Sequence, residues 1–320
     1  MKARKIVLAS GCLVLLIIAI IQAVTGRIDP VKILSVKEEI DEIVIERPEG
    51  NLNLKKSGED WFINDKYVAN YNEIEGIADS FSEVKILGKV TKTDNEEVLS
   101  KYDLNKDKAY KVTVLHDGKK LASYSVGKST STDSQVYIMI GDSNEVSMAQ
   151  GNLKDDCSKT INELRSKAVL QLQKDDMTSV TVKPVDGKAW TVTRSGEGNI
   201  WNISGEGTGG LELDSEITSN WFQGCATLAA TDWLGDNEEI PAEKIIDVEI
   251  MTGKKVTLSL YQGRDEEGTE LYWGSSSETP YNFKLAKYSV QKYHKNPEDF
   301  TKSILKRKFE KGCRDAVLFL

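Results

Sequence analysis

One order of elements occurs twice along this chain, about 140 residues apart, which limits the fold to something built from two like units. From Glu42 the sequence runs through the strand-like EIVIER and LNLKK to Asp60-Trp61-Phe62-Ile63. It then enters Tyr71–Val84, where Ile74, Ile77, Ala78, Phe81 and Val84 share one helical face. From Met177 the same order returns. TSVTVKP, a strand around Trp190 and the strand Ile200-Trp201-Asn202-Ile203 lead to a helix that places Ile217, Trp221, Phe222, Cys225 and Leu228 together. Asp214 or Ser215 is the expected cap of that second helix.

The later parts match as well. Tyr110–Val114 runs into Asp117-Gly118, and Ile246–Ile250 runs into Thr252-Gly253, each reading as a hairpin with a glycine turn. Val126-Gly127 is set beside Trp273-Gly274, Tyr137 beside Tyr281, and Ala168–Leu172 beside Ala316–Leu320. Helices over Asn152–Arg165 and Pro297–Lys308 are expected to close the two units. The predicted fold class is α+β: an N-terminal transmembrane helix, then two tandem units of antiparallel sheet with packed amphipathic helices. The expected domains are an anchor over 1–27, a first unit over 28–172 and a second over 173–320.

The anchor rests on Ile6–Val24, an uncharged apolar run that as a helix spans roughly 28 Å, close to the hydrocarbon thickness of a bilayer. Lys2, Arg4 and Lys5 precede it and Arg27 follows, so the cationic end predicts a cytoplasmic N-terminus and an extracytoplasmic bulk. Ala23-Val24-Thr25-Gly26 is a poor signal-cleavage site. Cys12 is followed by a dozen mostly apolar residues, unlike an acylated lipoprotein cysteine. The net charge is −8, and without the four cations of residues 1–27 the remainder carries −12, which argues against nucleic acid as a partner. Cys157, Cys225 and Cys313 stand far apart with no C-x-x-C. One disulfide among them is conceivable, and small core residues are the preferred reading of Cys157 and Cys225.

No catalytic, cofactor or metal residues are assigned. Ser125-Val-Gly-Lys128 fits S-x-x-K, but Ser125 ends a strand where that chemistry needs a helix start. Asp103-x-Asn105-x-Asp107 opens like a calcium loop, yet Lys108 and Val114 occupy the positions of its glycine and its bidentate glutamate. Ser204–Gly210 is glycine-rich without the G-K-[ST] that contacts phosphate. The two histidines, His116 and His294, are far apart, which gives zinc little support. Most of the six tryptophans read as core. Trp233 and Trp273 are the candidate binding surface, lining a groove for a peptide or glycan.

With the residues laid out this way, the chain resembles a bacterial domain-of-unknown-function family, DUF4340. The likeness rests on Asp60–Ile63 with its helix, Tyr102-Asp103-Leu104, the hairpin from Tyr110 to Gly127, Val136-Tyr137 and Leu164–Lys167. The family usually has Tyr-Gly-Leu and a proline where this chain has Tyr102-Asp103-Leu104 and none. Members carry a short membrane anchor before exported α+β units and are often encoded beside ABC transporters of the gliding-motility type. The resemblance implies an extracytoplasmic accessory role; with the anchor, the duplicated unit and no assignable catalytic set, the expected function is a membrane-anchored, non-enzymatic accessory or scaffold of an ABC-type export system. Its expected partners are the lipid bilayer and the permease or auxiliary subunits. The alternative expectation is a cell-wall-facing module that binds a glycan or peptide.

Overall fold

Alternation of apolar and polar residues sets most of the backbone. In Glu42–Glu46 (EIVIE), Ile43 and Ile45 are fully buried while Glu46 faces solvent, as period-two side chains on a half-covered sheet require. The computed structural model describes residues 15–17, 31–131, 134–196 and 200–301. It divides the chain into two compact units, Met1–Ser166 and Lys167–Leu320.

The first unit contains β1 (Lys32–Ser35), β2 (Glu42–Glu46), β3 (Leu52–Ser57), β4 (Asp60–Ile63) and β5 (Tyr67–Val68). After helix α1 (Tyr71–Ser82) come β6 (Glu83–Lys92), the short helix α2 (Glu96–Ser100), β7 (Tyr110–His116), β8 (Lys119–Ser129), β9 (Gln135–Ile140) and β10 (Glu145–Gln150). The short helices α3 (Leu153–Ser158) and α4 (Ile161–Leu164) end the unit. These strands form one antiparallel sheet in the order β1-β6-β10-β9-β8-β7-β2-β3-β4-β5. Helix α1 buries Ile74, Ile77, Ala78 and Phe81 in the core that holds Ile43, Ile45, Leu54 and Trp61. Each large aliphatic side chain so removed from water contributes about 1.5–3 kcal/mol. The Trp61 Nε1–H donates to Glu75 Oε1 at 2.9 Å, so the ring is buried without an orphaned donor.

The second unit contains β11 (Ala168–Gln171), β12 (Ser179–Pro184), β13 (Trp190–Ser195), β14 (Ile200–Gly205) and helix α5 (Ser215–Gly224). These are followed by β15 (Thr227–Ala229), β16 (Asp232–Trp233), β17 (Glu243–Thr252), β18 (Lys254–Arg264), β19 (Glu270–Ser276) and β20 (Thr279–Leu285). Helix α6 (Lys287–Gln291) and a 3₁₀ turn (Pro297–Phe300) close it. Its main sheet runs β14-β13-β12-β17-β18-β19-β20-β16, strand for strand the order β4-β3-β2-β7-β8-β9-β10-β6 of the first unit. The registers agree: Ile43 faces Val114, and Val180 faces Ile250. The opening strands agree too, for Leu34 faces Val84 in β1–β6 and Leu170 faces Leu228 in β11–β15. Asp214 caps α5 by accepting from the amides of Glu216 and Ile217 at 3.0 and 3.1 Å. Trp221 packs between Trp190 and Phe300, with ring centroids 5.3 and 4.8 Å away.

Several expectations are corrected. The α+β class gives way to a mostly antiparallel β architecture, with 46% of the described residues in strands and 18% in helices. The expected helix Asn152–Arg165 breaks at Lys159, because Thr160 starts a new turn: its side chain and Glu163 cap each other's backbone amides in a capping box. Only the 3₁₀ turn of Pro297–Lys308 falls within the described residues. Ile217 is exposed, and the buried face of α5 runs through Thr218, Trp221 and Phe222. Ala168–Gln171 opens the second unit on β15, so the boundary falls at Ser166–Lys167. Tyr137 lies in β9 and Tyr281 in β20, and Val126-Gly127 lies in β8 whereas Trp273-Gly274 lies in β19, so these are not counterparts; Tyr137 belongs beside Trp273. The anchor Ile6–Val24, apart from the helical Leu15–Ile17, and the segment Ala316–Leu320 lie outside the described residues. Among the described residues no helix is long and apolar enough to cross a membrane.

Candidate functional site

The second unit holds a cavity of about 570 Å³, within the range that takes small ligands. Its walls come from segments that the sheet order brings to one end: the turn after β12 with Asp186 and Lys188, the stretch after β14 with Glu206 and Gly207, and Tyr293–Glu298 beyond α6. Trp190 and Ile246 supply apolar wall between them. Lys188 and Glu206 form an ion pair across the lining. Burial holds the imidazole of His294 below its ordinary pKa of 6.5, so it enters the wall as a neutral ring. Tyr293 is wholly buried, its phenol is pushed well above the ordinary value by loss of solvent, and its hydroxyl has no hydrogen-bond partner among the described residues. With Asp186, Glu298 and Lys295 the lining offers both acceptors and cationic donors, suited to a ligand with hydrogen-bonding groups of both kinds.

The proposed tryptophans lie elsewhere. Trp233 and Trp273 are 7% and 6% exposed. Trp233 packs edge-on against Phe283 at 5.9 Å and Tyr281 at 6.3 Å, and the ring of Trp273 covers Gly263, where a Cβ would lie 3.1 Å from it. Both present little surface to a ligand. The glycine-rich stretch Ser204–Gly210 contributes Glu206 and Gly207 to the cavity wall, a role its composition alone did not reveal.

The other candidates serve packing. Ser125 pairs with Lys111 and Met139 inside the sheet, and Gly127 is glycine because a Cβ there would collide with the Tyr102 carbonyl oxygen. That same oxygen accepts from the Lys128 amide at 2.9 Å. Burial pushes the Cys225 thiol up to about 12 and raises Cys157 well beyond the ordinary thiol range, which leaves both as inert thiols. Lys108 Nζ lies 2.9 Å from Asp103 Oδ1 and ties the calcium-like turn to itself.

One cluster escaped the sequence reading. Asp41, His116 and Asp117 converge at the β7–β8 turn, with His116 Nδ1 3.3 Å from Asp41 Oδ2 and Nε2 3.7 Å from Asp117 Oδ2. The Asp117 amide donates to Asp41 Oδ2 at 2.8 Å. These are groups of the type that bind divalent cations, but Asp117 is almost fully exposed. The β2–β7 pairing creates the cluster, so it is legible only once Glu42 is known to face Leu115.

Fold and cavity together define a duplicated antiparallel-sheet protein whose second unit carries a polar recess. The chain belongs to the family described as a domain of unknown function, DUF4340, whose model matches residues 61–247. The match runs from β4 of the first unit into β17 of the second. No curated protein and no solved structure matches the chain.

Proposed function

We propose that the protein is a non-enzymatic accessory or scaffold of an ABC-type transport system, held at the cell membrane through the apolar run Ile6–Val24 with both units on the extracytoplasmic side. The observation that carries this reading is the placement of its nucleophilic side chains: Ser125 lies within a strand between Lys111 and Met139, Cys157 and Cys225 are buried, and none of the three lines the second-unit cavity. The transporter genes beside family members support the choice of partner, and the cations before the apolar run support the orientation. Affinity purification of the tagged protein from gently solubilised native membranes tests it. Co-purification of an ATPase and a permease is expected, and recovery of this protein alone under every condition overturns the reading. Exchanging Ile6–Val24 for an unrelated anchor then separates contact through the run from contact through the units.

The cavity favours a second reading, a module that binds a wall-derived glycan or peptide in the second unit. Trp190 lines that cavity, so binding is expected to change its fluorescence, and Trp190→Phe is expected to abolish the change. A flat response across a panel of wall fragments sinks it.

A further inference from the structure

We infer that β14 is an open pairing edge and that a second copy of this chain fills it, with the two β14 strands antiparallel about Asn202. The inference is independent of the transporter reading.

Strand edges are normally blunted by shortness, charge, proline or a bulge, since their unpaired amides and carbonyls recruit another strand. The edge strands β5 and β16 are two residues long, and β1 opens on Lys32. β14 has none of these devices. Its six residues, Ile200-Trp-Asn-Ile-Ser-Gly, carry no charge, and they pair with β13 from Trp190–Gly205 to Ser195–Ile200 without a register shift.

The first unit shows what is missing. Its counterpart β4 is covered by β5, where Phe62 faces Val68, Ile63 faces Tyr67, and the Ala69 amide donates to the Trp61 carbonyl at 2.8 Å. Under that cover Trp61 and Ile63 are fully buried. After β14 the chain turns away, with the Thr208 amide bonded to the Gly205 carbonyl, and among the described residues no strand pairs with the outer edge. The equivalent side chains, Trp201 and Ile203, remain only partly buried, and among the described residues Trp201 Nε1 has no hydrogen-bond partner where Trp61 has Glu75.

The occupant follows from the alternation and from the charge. Trp201 and Ile203 point to the core face, while Ile200, Asn202 and Ser204 are on the exposed face. Residues directly opposite each other in an antiparallel pair share a face. A dyad through Asn202 therefore sets Trp201 opposite Ile203 of the second copy, an aromatic–β-branched pair on the core side. Ile200 then meets Ser204, and Asn202 meets its own copy. Within the six paired residues no like charges come together, although the chain as a whole carries −8.

Sedimentation of the full-length protein over a concentration series tests the pairing, with Asn202→Lys and Asn202→Glu as the variants. Asn202 is exposed, so both variants are expected to keep the wild-type circular dichroism and unfolding midpoint. Wild type is expected to dimerise. Each variant alone is expected to weaken the dimer by about tenfold or more, because like charges then face across the dyad. An equimolar mixture of the two is expected to restore association. Hydrogen exchange of the β14 amides is expected to slow as the dimer forms. A wild-type monomer overturns the inference, and slow β14 exchange in that monomer would assign the edge to another segment of the chain. A dimer untouched by Asn202→Lys also overturns it and puts the association elsewhere.

Discussion

The two units share a wiring and differ in their trim. Eight strands follow in the same spatial order, each unit opens with a strand on the segment after its helix, and each closes on a capping box, Thr160 with Glu163 and Asn296 with Asp299. The first unit seals its β4 edge and joins two pairing segments into the continuous β6. The second leaves β14 open and splits that segment into β15 and β16. Alternation and register fix the order of strands, whereas local loop sequence decides which edges are covered and where a recess opens.

The largest break in the symmetry is expected at the paired tryptophans. Trp61→Ala removes a fully buried ring and one of the donors to Glu75, and is expected to cost about 3–5 kcal/mol. Trp201→Ala, at an uncovered edge, is expected to cost distinctly less when both are followed by urea unfolding. Equal losses would mean that β14 is as well covered as β4. Gly127→Ala is expected to cost about 1–3 kcal/mol by forcing the chain off the Tyr102 carbonyl. Thr160→Ala, which removes one half of a capping box, is expected to cost about 1 kcal/mol, measured the same way. Gly76→Ala should move stability in the opposite direction by up to about 1 kcal/mol, since α1 has open space at that position.

Acidification distinguishes the units with a smaller effect. The folded His294 has a lowered pKa, so the unfolded chain binds its proton first, and the second unit loses stability as pH falls from above 6.5 toward the folded value. Glu163 in the first unit is held below 4.5 by the Thr160 amide and hydroxyl. Its contribution is complete above 4.5 and is lost only as pH falls through its lower folded pKa. Hydrogen exchange between pH 7.5 and 5.5 is expected to show the second unit loosening first, and His294→Gln to flatten that response.

Much of the wiring was legible in the sequence because it depends on short-range pattern. The strand, strand, tryptophan-strand, helix order, the hairpins at Asp117-Gly118 and Thr252-Gly253, and the Asp214 cap all follow from periodicity and turn chemistry. The counterpart of Tyr137 was misassigned because short apolar strands look alike, and the match of Ala168–Leu172 with Ala316–Leu320 reaches outside the described residues. Only pairing shows that Ala168–Gln171 answers to Lys32–Ser35. The helical share was overestimated where Thr160 interrupts an otherwise helical pattern. Trp233 and Trp273 have the residue type of a binding surface, but the sheet face that covers them is a tertiary fact. The cavity was illegible for the same reason, since its walls come from three segments far apart in the chain.

The position of β11 has a historical consequence. Because it begins the second unit as β1 begins the first, the join at Ser166–Lys167 separates two blocks that each contain their own opening strand and closing turn. A gene segment already encoding the whole unit, copied head to tail, leaves such a seam. The two blocks now differ at one edge, which β5 covers in the first unit and which no strand among the described residues covers in the second.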